Sequence, residues 1–461
     1  MLLCGCADVS MPAYQTPDAP GKAAWSGTDA TAAATAAQPA VAPADAITLD
    51  WWTTFRDPAL DDLVAKAIAG NFDLRALAAR IEVANTQIGA ARAGALPTLD
   101  AGAGASFEKS TGQSFSKQFN LGTQVNWDID IWGKVEKGVQ AQAAEFRASE
   151  ADWRAGYLTL AANVATTYFQ ILQLDEQIEQ QQRALDKNRQ ILGIYDAMFK
   201  TGLVPNTQVL QQRAENNRLS RDLLELRRSR DLAGNAIASL MGVPAGEFRI
   251  SPGYLQDRVR LPEVPAGLPS ELLKRRPDVV AAEFRVLSAY DLVGQAKLAQ
   301  LPSVSLTGRG GTSSFALGDL LKSFTFGILP SINFPIFDPN VKAQIKTSEA
   351  QTKVAEEQYR ATVIAAFEEV ENALVNLDAH KKQRVELEQQ IANLKVVSDQ
   401  TARQVREGVV SQLQVFETER SLLGAQLALL ANHQQILSDT VTLYKALGGG
   451  WPPVEVRNAA K

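Results

Sequence analysis

From Phe119 the apolar and polar positions alternate without a break. Phe119, Leu121, Val125, Trp127, Ile129 and Ile131 fall on one side; Asn120, Gln124, Asn126, Asp128 and Asp130 fall on the other. A period of two over this length predicts a strand with one apolar and one wet face. The preceding stretch repeats the pattern with smaller residues, setting Leu99, Ala101, Ala103, Ala105 and Phe107 against Asp100, Gly102, Gly104 and Ser106. Further on, Val304 and Leu306 oppose Ser303, Ser305, Thr307 and Arg309, and Phe324, Phe326, Ile328, Ile332, Phe334 and Ile336 oppose Ser323, Thr325, Ser331 and Asn333. The Ser/Gly/Thr-rich stretches Glu108 to Lys117 and Gly310 to Leu321 read as loops, giving hairpins at about 98–131 and 303–337.

Between the hairpins the period changes to seven. Tyr157, Val164, Ile171, Ile178, Leu185, Leu192 and Phe199 form one heptad series, and Phe416, Leu423, Leu430, Leu437 and Tyr444 another. A strict seven-residue repeat imposes a left-handed supercoil. Helix-compatible sequence runs from about Val135 to Lys200, which at 1.5 Å per residue spans on the order of 100 Å, and its counterpart from about Val341 to Glu407. Each ends in a turn, Thr201 to Asn206 and Glu407 to Ser411, with Gly202 and Gly408 where helix C-caps place glycine. About 35 residues of returning helix follow each turn.

The chain also says the same thing twice. Ala91, Arg92, Leu96, Pro97, Ile131 and Trp132 answer to Ala296, Lys297, Leu301, Pro302, Ile336 and Phe337 at an offset of 205, and Gly202, Leu203, Val204 and Gly242 answer to Gly408, Val409, Val410 and Gly448 at 206. The expected organisation is a first repeat over 47–255 and a second over 256–452, with a short tail at 453–461.

An ordinary sheet packed on its own core would show the same alternation. Strand length near ten residues, with Phe107, Phe119, Trp127, Trp132, Phe324 and Phe334 gathered toward strand ends, favours strands that cross a membrane. Four strands cannot close, and an open edge in lipid leaves backbone groups unpaired at several kcal/mol each. Other chains must complete the barrel. A dimer gives eight strands with a filled interior, whereas a trimer gives 12 and can enclose water; the Asn, Gln, Asp and Ser of the wet face favour the trimer. The fold class expected is thus an α+β membrane protein, with long antiparallel coiled-coil helices, four transmembrane strands per protomer and an internal two-fold repeat.

Composition narrows the function by exclusion. With 461 residues, a net charge of −5 and a pI near 5.4, the chain has no general attraction to nucleic acid. Two cysteines and two histidines leave almost no ligands for zinc, and no metal or cofactor is expected. His380 and His433 both fall inside heptad helices, where solvated or interfacial roles suit them better than catalysis. Gly102-Ala103-Gly104 lacks the Lys-Ser/Thr ending of a phosphate loop and opens no helix. An enzyme is not expected. A soluble coiled-coil scaffold explains the heptads but leaves four amphipathic strands unaccounted for.

The start of the chain, Leu3-Cys4-Gly5-Cys6, looks like the end of a bacterial lipoprotein signal with Cys6 as the lipidated residue, although only two residues precede Leu3. Ala7 follows, where Asp would retain a lipoprotein in the inner membrane. A Cys4–Cys6 disulfide is the other option, and its geometry is poor at that spacing. Residues 1–6 form the signal remnant. Residues 7–46, rich in Ala, Pro, Thr and Asp, read as an extended linker.

Three stretches resemble the outer-membrane factors of bacterial tripartite efflux and secretion systems, the TolC superfamily, and within it the lipoprotein branch of OprM-like or NodT-like channels. They are Trp51-Trp52 through Phe55, Asp57-Pro58, Leu60 and Asn71; Leu272 to Val279 with its Arg275-Arg276-Pro277-Asp278 core and Ala282-Glu283; and Leu443 to Trp451 with Gly448-Gly449-Gly450. The resemblance implies a homotrimer with a 12-stranded barrel in the outer membrane and a helical tunnel across the periplasm. It also implies an equatorial collar using a linker near 185–190, the segment after Gly242 and the C-terminal region. The partners implied are a periplasmic adaptor and an inner-membrane transporter of the resistance-nodulation-division type, as in multidrug resistance. A covalent lipid, palmitate among its acyl chains, is implied on Cys6. A duct of a type I secretion system is the nearest alternative.

The same resemblance implies a periplasmic gate at Leu413, Glu417 and Arg420, although Glu417-Thr418-Glu419-Arg420 departs from the commoner Asp-Ala-Gln-Arg wording. Glu417 and Arg420, three apart, would equally suit an ordinary helix-surface pair. Glu417 and Glu419 repeated around an axis would make the entrance cation-selective. Gly202, Leu203, Val204, Gly408, Val409 and Val410 are the expected adaptor-contacting tips, or plain hairpin turns.

Overall fold

A computed structural model describes residues 14–19, 47–109, 111, 115–246, 248–262, 264 and 274–452. Cys6, expected to carry a lipid, most of the 7–46 linker, Leu272-Leu273 and the tail 453–461 lie outside the described residues.

After a 3-10 turn at Trp51–Phe55 come helices α1 (Pro58–Gly70) and α2 (Phe72–Ala93), and strands β1 (Thr98–Glu108) and β2 (Ser116–Ile129). The long helix α3 (Lys134–Lys200) returns as α4 (Asn206–Leu240), followed by a single turn, α5 (Leu255–Arg258). Then α6 (Pro277–Leu298), β3 (Ser303–Ser314), β4 (Thr325–Asn333), α7 (Pro339–Arg406) and α8 (Gln412–Ala446) repeat the order. The counterparts have matching lengths: 22 residues for α2 and α6, 67 and 68 for α3 and α7, 35 for α4 and α8.

The strands form one antiparallel sheet in the order β1-β2-β3-β4. Several strand limits differ from expectation, two of them by more than two residues. Gly310 to Ser314, read as loop, continue β3, because each pairs with a residue of β2, from Gly310 with Thr123 to Ser314 with Phe119. Glycine and threonine suggested a turn; the ladder offered by β2 overrides that local preference. Phe334 to Phe337, read as strand, lie beyond β4, which ends before Pro335, a residue with no N–H to donate. Asp130, assigned to the wet face of β2, instead caps α3: its carboxylate accepts from the backbone N–H groups of Lys134 at 2.7 Å, Val135 at 2.9 Å and Glu136 at 3.2 Å. Those donors have no partner inside the helix, and a negative charge suits that end of the dipole. Asp338 caps α7 in the same way, through Asn340 at 2.8 Å.

The main core lies partway along the helices, where the three recognisable stretches converge. Trp51 stacks on Tyr444 with ring centroids 5.3 Å apart, and Phe55 packs on Phe169 at 5.1 Å. The Tyr168 hydroxyl donates to Asp57 at 2.6 Å, while the other oxygen of Asp57 caps α1 through Ala59 N–H. Burial, then this bond, push the Tyr168 hydroxyl well above its ordinary pKa. Buried Arg276 grips both oxygens of Asp278, reaches Glu369 at 2.7 Å and donates to the carbonyl of Ala446 at 3.2 Å. The backbone of Gly448–Gly450 is left-handed throughout, and a Cβ on Gly450 would overlap the Thr48 backbone. Ile250, Leu255 and Val259, from the segment after Gly242, join this core. The linker expected near 185–190 is absent: α3 runs straight through, with Leu185 and Asn188 buried in it and no helix breaker in the stretch.

Candidate functional site

Register sorts the sheet into two chemically distinct faces. Residues directly opposite one another share a face, so Val125 stands between Leu99 and Gly308, and Trp127 opposite Leu306. Val304 faces Ile332, and Gly308 faces Ile328. This face is predominantly apolar, with Thr123, Thr312 and Ser314 among its polar exceptions, and Phe326 on it is 85% exposed. On the other face Gln124 stands between Asp100 and Arg309, and Asn126 accepts from Gln124 at 2.7 Å and Thr307 at 3.4 Å. The Ser305 and Ser331 hydroxyls bond across strands at 2.7 Å. At the helix-side rim the indole N–H groups of Trp127 and Trp132 donate to the carbonyls of Ala95 and Pro302.

Both long helices start at this sheet, so their far ends lie on the order of 100 Å from it. Each end closes with the two backbone bonds of a Schellman cap. At the end of α3, Leu203 N–H donates to Met198 at 2.8 Å and Gly202 N–H to Phe199 at 2.9 Å. At the end of α7, Val409 N–H donates to Gln404 at 2.9 Å and Gly408 N–H to Val405 at 3.1 Å. The caps need φ of 77° and 73° at Gly202 and Gly408, a region glycine enters without steric cost. Leu203 and Val409 then project at 71% and 67% exposure, with Val204 and Val410 half-buried behind them.

Just past the second turn, Leu413, Glu417 and Arg420 recur at helical spacing on one exposed face of α8, and Val415 and Thr418 face inward. The structure thus brings the three expected gate residues onto one stripe. It forms no ion pair between Glu417 and Arg420. Glu419 is drawn away from that stripe: its carboxylate accepts from Lys187 of α3 at 2.5 Å. Sequence reasoning missed Lys187, and its partner 232 residues away left no local signal. His380 lies at the α7–α8 interface, Nδ1 2.6 Å from buried Asp439. Among the described residues no cluster of His, Cys, Asp or Glu could hold a metal ion, and no helix is long and apolar enough to cross a membrane.

The family model described as outer membrane efflux protein matches residues 63–243 and 268–449, two stretches at the 205–206 offset of the sequence repeat. The chain is 30% identical to the pyoverdine export outer membrane protein OpmQ of Pseudomonas putida, over 87% of this chain and 88% of the relative. It is also 30% identical to the toluene efflux pump outer membrane protein TtgC of Pseudomonas putida, over 98% and 94%. Among solved structures, the open state of the Neisseria gonorrhoeae MtrE outer membrane channel superposes with a TM-score of 0.82 at 29% identity, covering 96% of this chain and 98% of that one. The chain belongs to the outer membrane efflux protein family and is an outer-membrane efflux channel.

Proposed function

We propose that this protein is the passive exit duct of a tripartite pump, a homotrimer whose 12 strands close a barrel in the outer membrane and whose helices form a periplasmic tunnel. The observation that carries the reading is the sheet itself: among the described residues β1 and β4 are edges without partners, yet one face is predominantly apolar. In lipid such edges must be paired, and the β4 edge of one copy is the available partner for β1 of the next. The matched repeat supports two equivalent helix pairs per protomer.

In this reading the turns at Gly202–Val204 and Gly408–Val410 contact a periplasmic adaptor, and Leu413, Glu417 and Arg420 narrow the inner end. Energy comes from an inner-membrane transporter of the resistance-nodulation-division type. The relatives' names, pyoverdine export and toluene efflux, favour small-molecule efflux over type I protein secretion. A lipid on Cys6 adds an anchor. Tyr14 packs edge-on against Tyr290 of α6 and donates to Glu283 at 3.1 Å. The eight residues from Cys6 to Tyr14 reach up to about 28 Å, while Tyr290 lies only about 12 Å along α6 from the helix end beneath the sheet. A lipid on Cys6 would therefore lie within reach of the membrane.

Reconstitution in planar lipid bilayers tests the proposal. Wild-type protein is expected to give small, infrequent conductance steps, and Glu417→Ala or Lys187→Ala larger ones. No conductance from any of these refolded or native preparations would overturn it.

A further inference from the structure

Between the two helix pairs lies a half-open cavity of about 330 Å³, walled by α3, α4 and α8 with Ser398 of α7 at its edge. That volume lies at the small end of ligand pockets. Its wall carries four cations, Arg183, Lys187, Arg218 and Arg420, against two carboxylates, Glu215 and Glu419. Both carboxylates are already engaged: Glu215 accepts from Arg218 at 2.5 and 2.9 Å, and Glu419 from Lys187 at 2.5 Å. Arg183 turns to Glu179, outside the cavity wall. Arg420 forms no ion pair among the described residues. Beneath these heads the floor is apolar, with Ala184, Leu219 and Leu423.

We propose that this cavity binds a small organic anion, a compact apolar body bearing one carboxylate, sulfonate or phosphate group. The head sits on Arg420, the cation with no carboxylate to give up, and the body lies on Leu219 and Leu423. A neutral ligand of the same shape gains only the floor, and an organic cation meets the excess positive charge. Because the walls belong to both helix pairs, an occupant bridges α4 and α8 and holds the pairs in their present arrangement. That it thereby keeps the duct closed rests on the channel reading above; the binding itself does not.

Equilibrium dialysis of the full-length, detergent-solubilised protein against naphthalene-1-sulfonate and against neutral 1-naphthalenemethanol tests the site, with detergent alone as the blank. The sulfonate is expected to saturate at one per chain, and the alcohol not to saturate. Arg420→Ala breaks no ion pair and leaves the helix intact, as circular dichroism checks; it should weaken sulfonate binding at least about tenfold, the loss of one charge-assisted bond. Ala184→Leu keeps every charge and fills the floor, and it should weaken binding similarly. Sulfonate binding unchanged in Arg420→Ala, or an alcohol that binds as tightly as the sulfonate, overturns the proposal. In bilayers the sulfonate should lower wild-type conductance and leave Arg420→Ala unaffected. Dialysis reads the site even from a protein that conducts nothing, so failure of the channel reading and failure of the site are told apart.

Discussion

Lys187 Nζ lies 2.5 Å from Glu419 Oε1, tying α3 to the opening turns of α8 across 232 residues of chain. Lys187 is largely exposed and Glu419 mostly buried, so the pair is partly screened and contributes no more than about 1 kcal/mol. Lys187→Ala should therefore raise the open-to-closed ratio of single channels by up to about fivefold per protomer, with little change in thermal stability. Recordings in which the variant stays as closed as wild type would contradict a clasp at this position.

The same contact separates the two acids of the Glu417-Thr418-Glu419 run. Glu417 stands exposed on the stripe with Leu413, whereas the Glu419 charge is matched by Lys187. Reversal potentials in a salt gradient should shift toward anions in Glu417→Ala and much less in Glu419→Gln, whose main effect is on opening. Equal shifts in both would place both acids at the axis.

Two glycines with left-handed backbone should respond differently to a methyl group. At Gly408 no atom lies within 4 Å of an added Cβ, so Gly408→Ala carries only the backbone penalty, about 1–2 kcal/mol. At Gly450 the Cβ would overlap the Thr48 backbone, so Gly450→Ala must also displace the chain entering the aromatic core. Thermal melts in detergent should rank Gly450→Ala well below Gly408→Ala. The reverse order would mean that the closing turn is more pliable than its packing implies.

Arg276 supplies a pH-dependent element. Burial alone would raise the Asp278 carboxyl, but the Arg276 guanidinium overrides burial and holds it below its ordinary value. A depressed folded-state pKa stabilises above the unfolded value, so this contact is at full strength above about pH 4 and fades as pH falls further through the folded value. Asp278→Asn should flatten that part of the acid-unfolding curve. Arg276→Leu should cost about 2–3 kcal/mol, less than a fully buried pair, because Asp278 and Glu369 keep contact with solvent. Acid titrations of the two variants followed by near-UV dichroism check both values.

The strands and turns were legible because their signals are local. The alternation from Phe119 to Ile129 survives in β2, and glycine at 202 and 408 marks both caps. What escaped depended on a partner distant in sequence. Gly310 to Ser314 read as loop until β2 supplied a ladder, and Asp130 read as a strand residue although its helix begins only four residues later. Arg276 reaching Ala446, and Tyr14 reaching Glu283 from a linker that looked featureless, have no local trace at all. At the expected gate, helical spacing placed Leu413, Glu417 and Arg420 on one face, but nothing in it foretold that Glu419 would turn to α3.

Lipidation is read directly by metabolic labelling. Cells expressing the gene from its own locus should incorporate radiolabelled palmitate into wild-type protein and not into Cys6→Ser. Equal labelling of the two would remove Cys6 as the anchor.

The most direct measurement is the mass of the purified assembly, by light scattering corrected for bound detergent. Closure of the sheet by neighbouring copies predicts a protein mass three times the 49.8 kDa protomer, with strand signal in the dichroism spectrum. A monodisperse monomer that stays in solution without detergent would contradict the account.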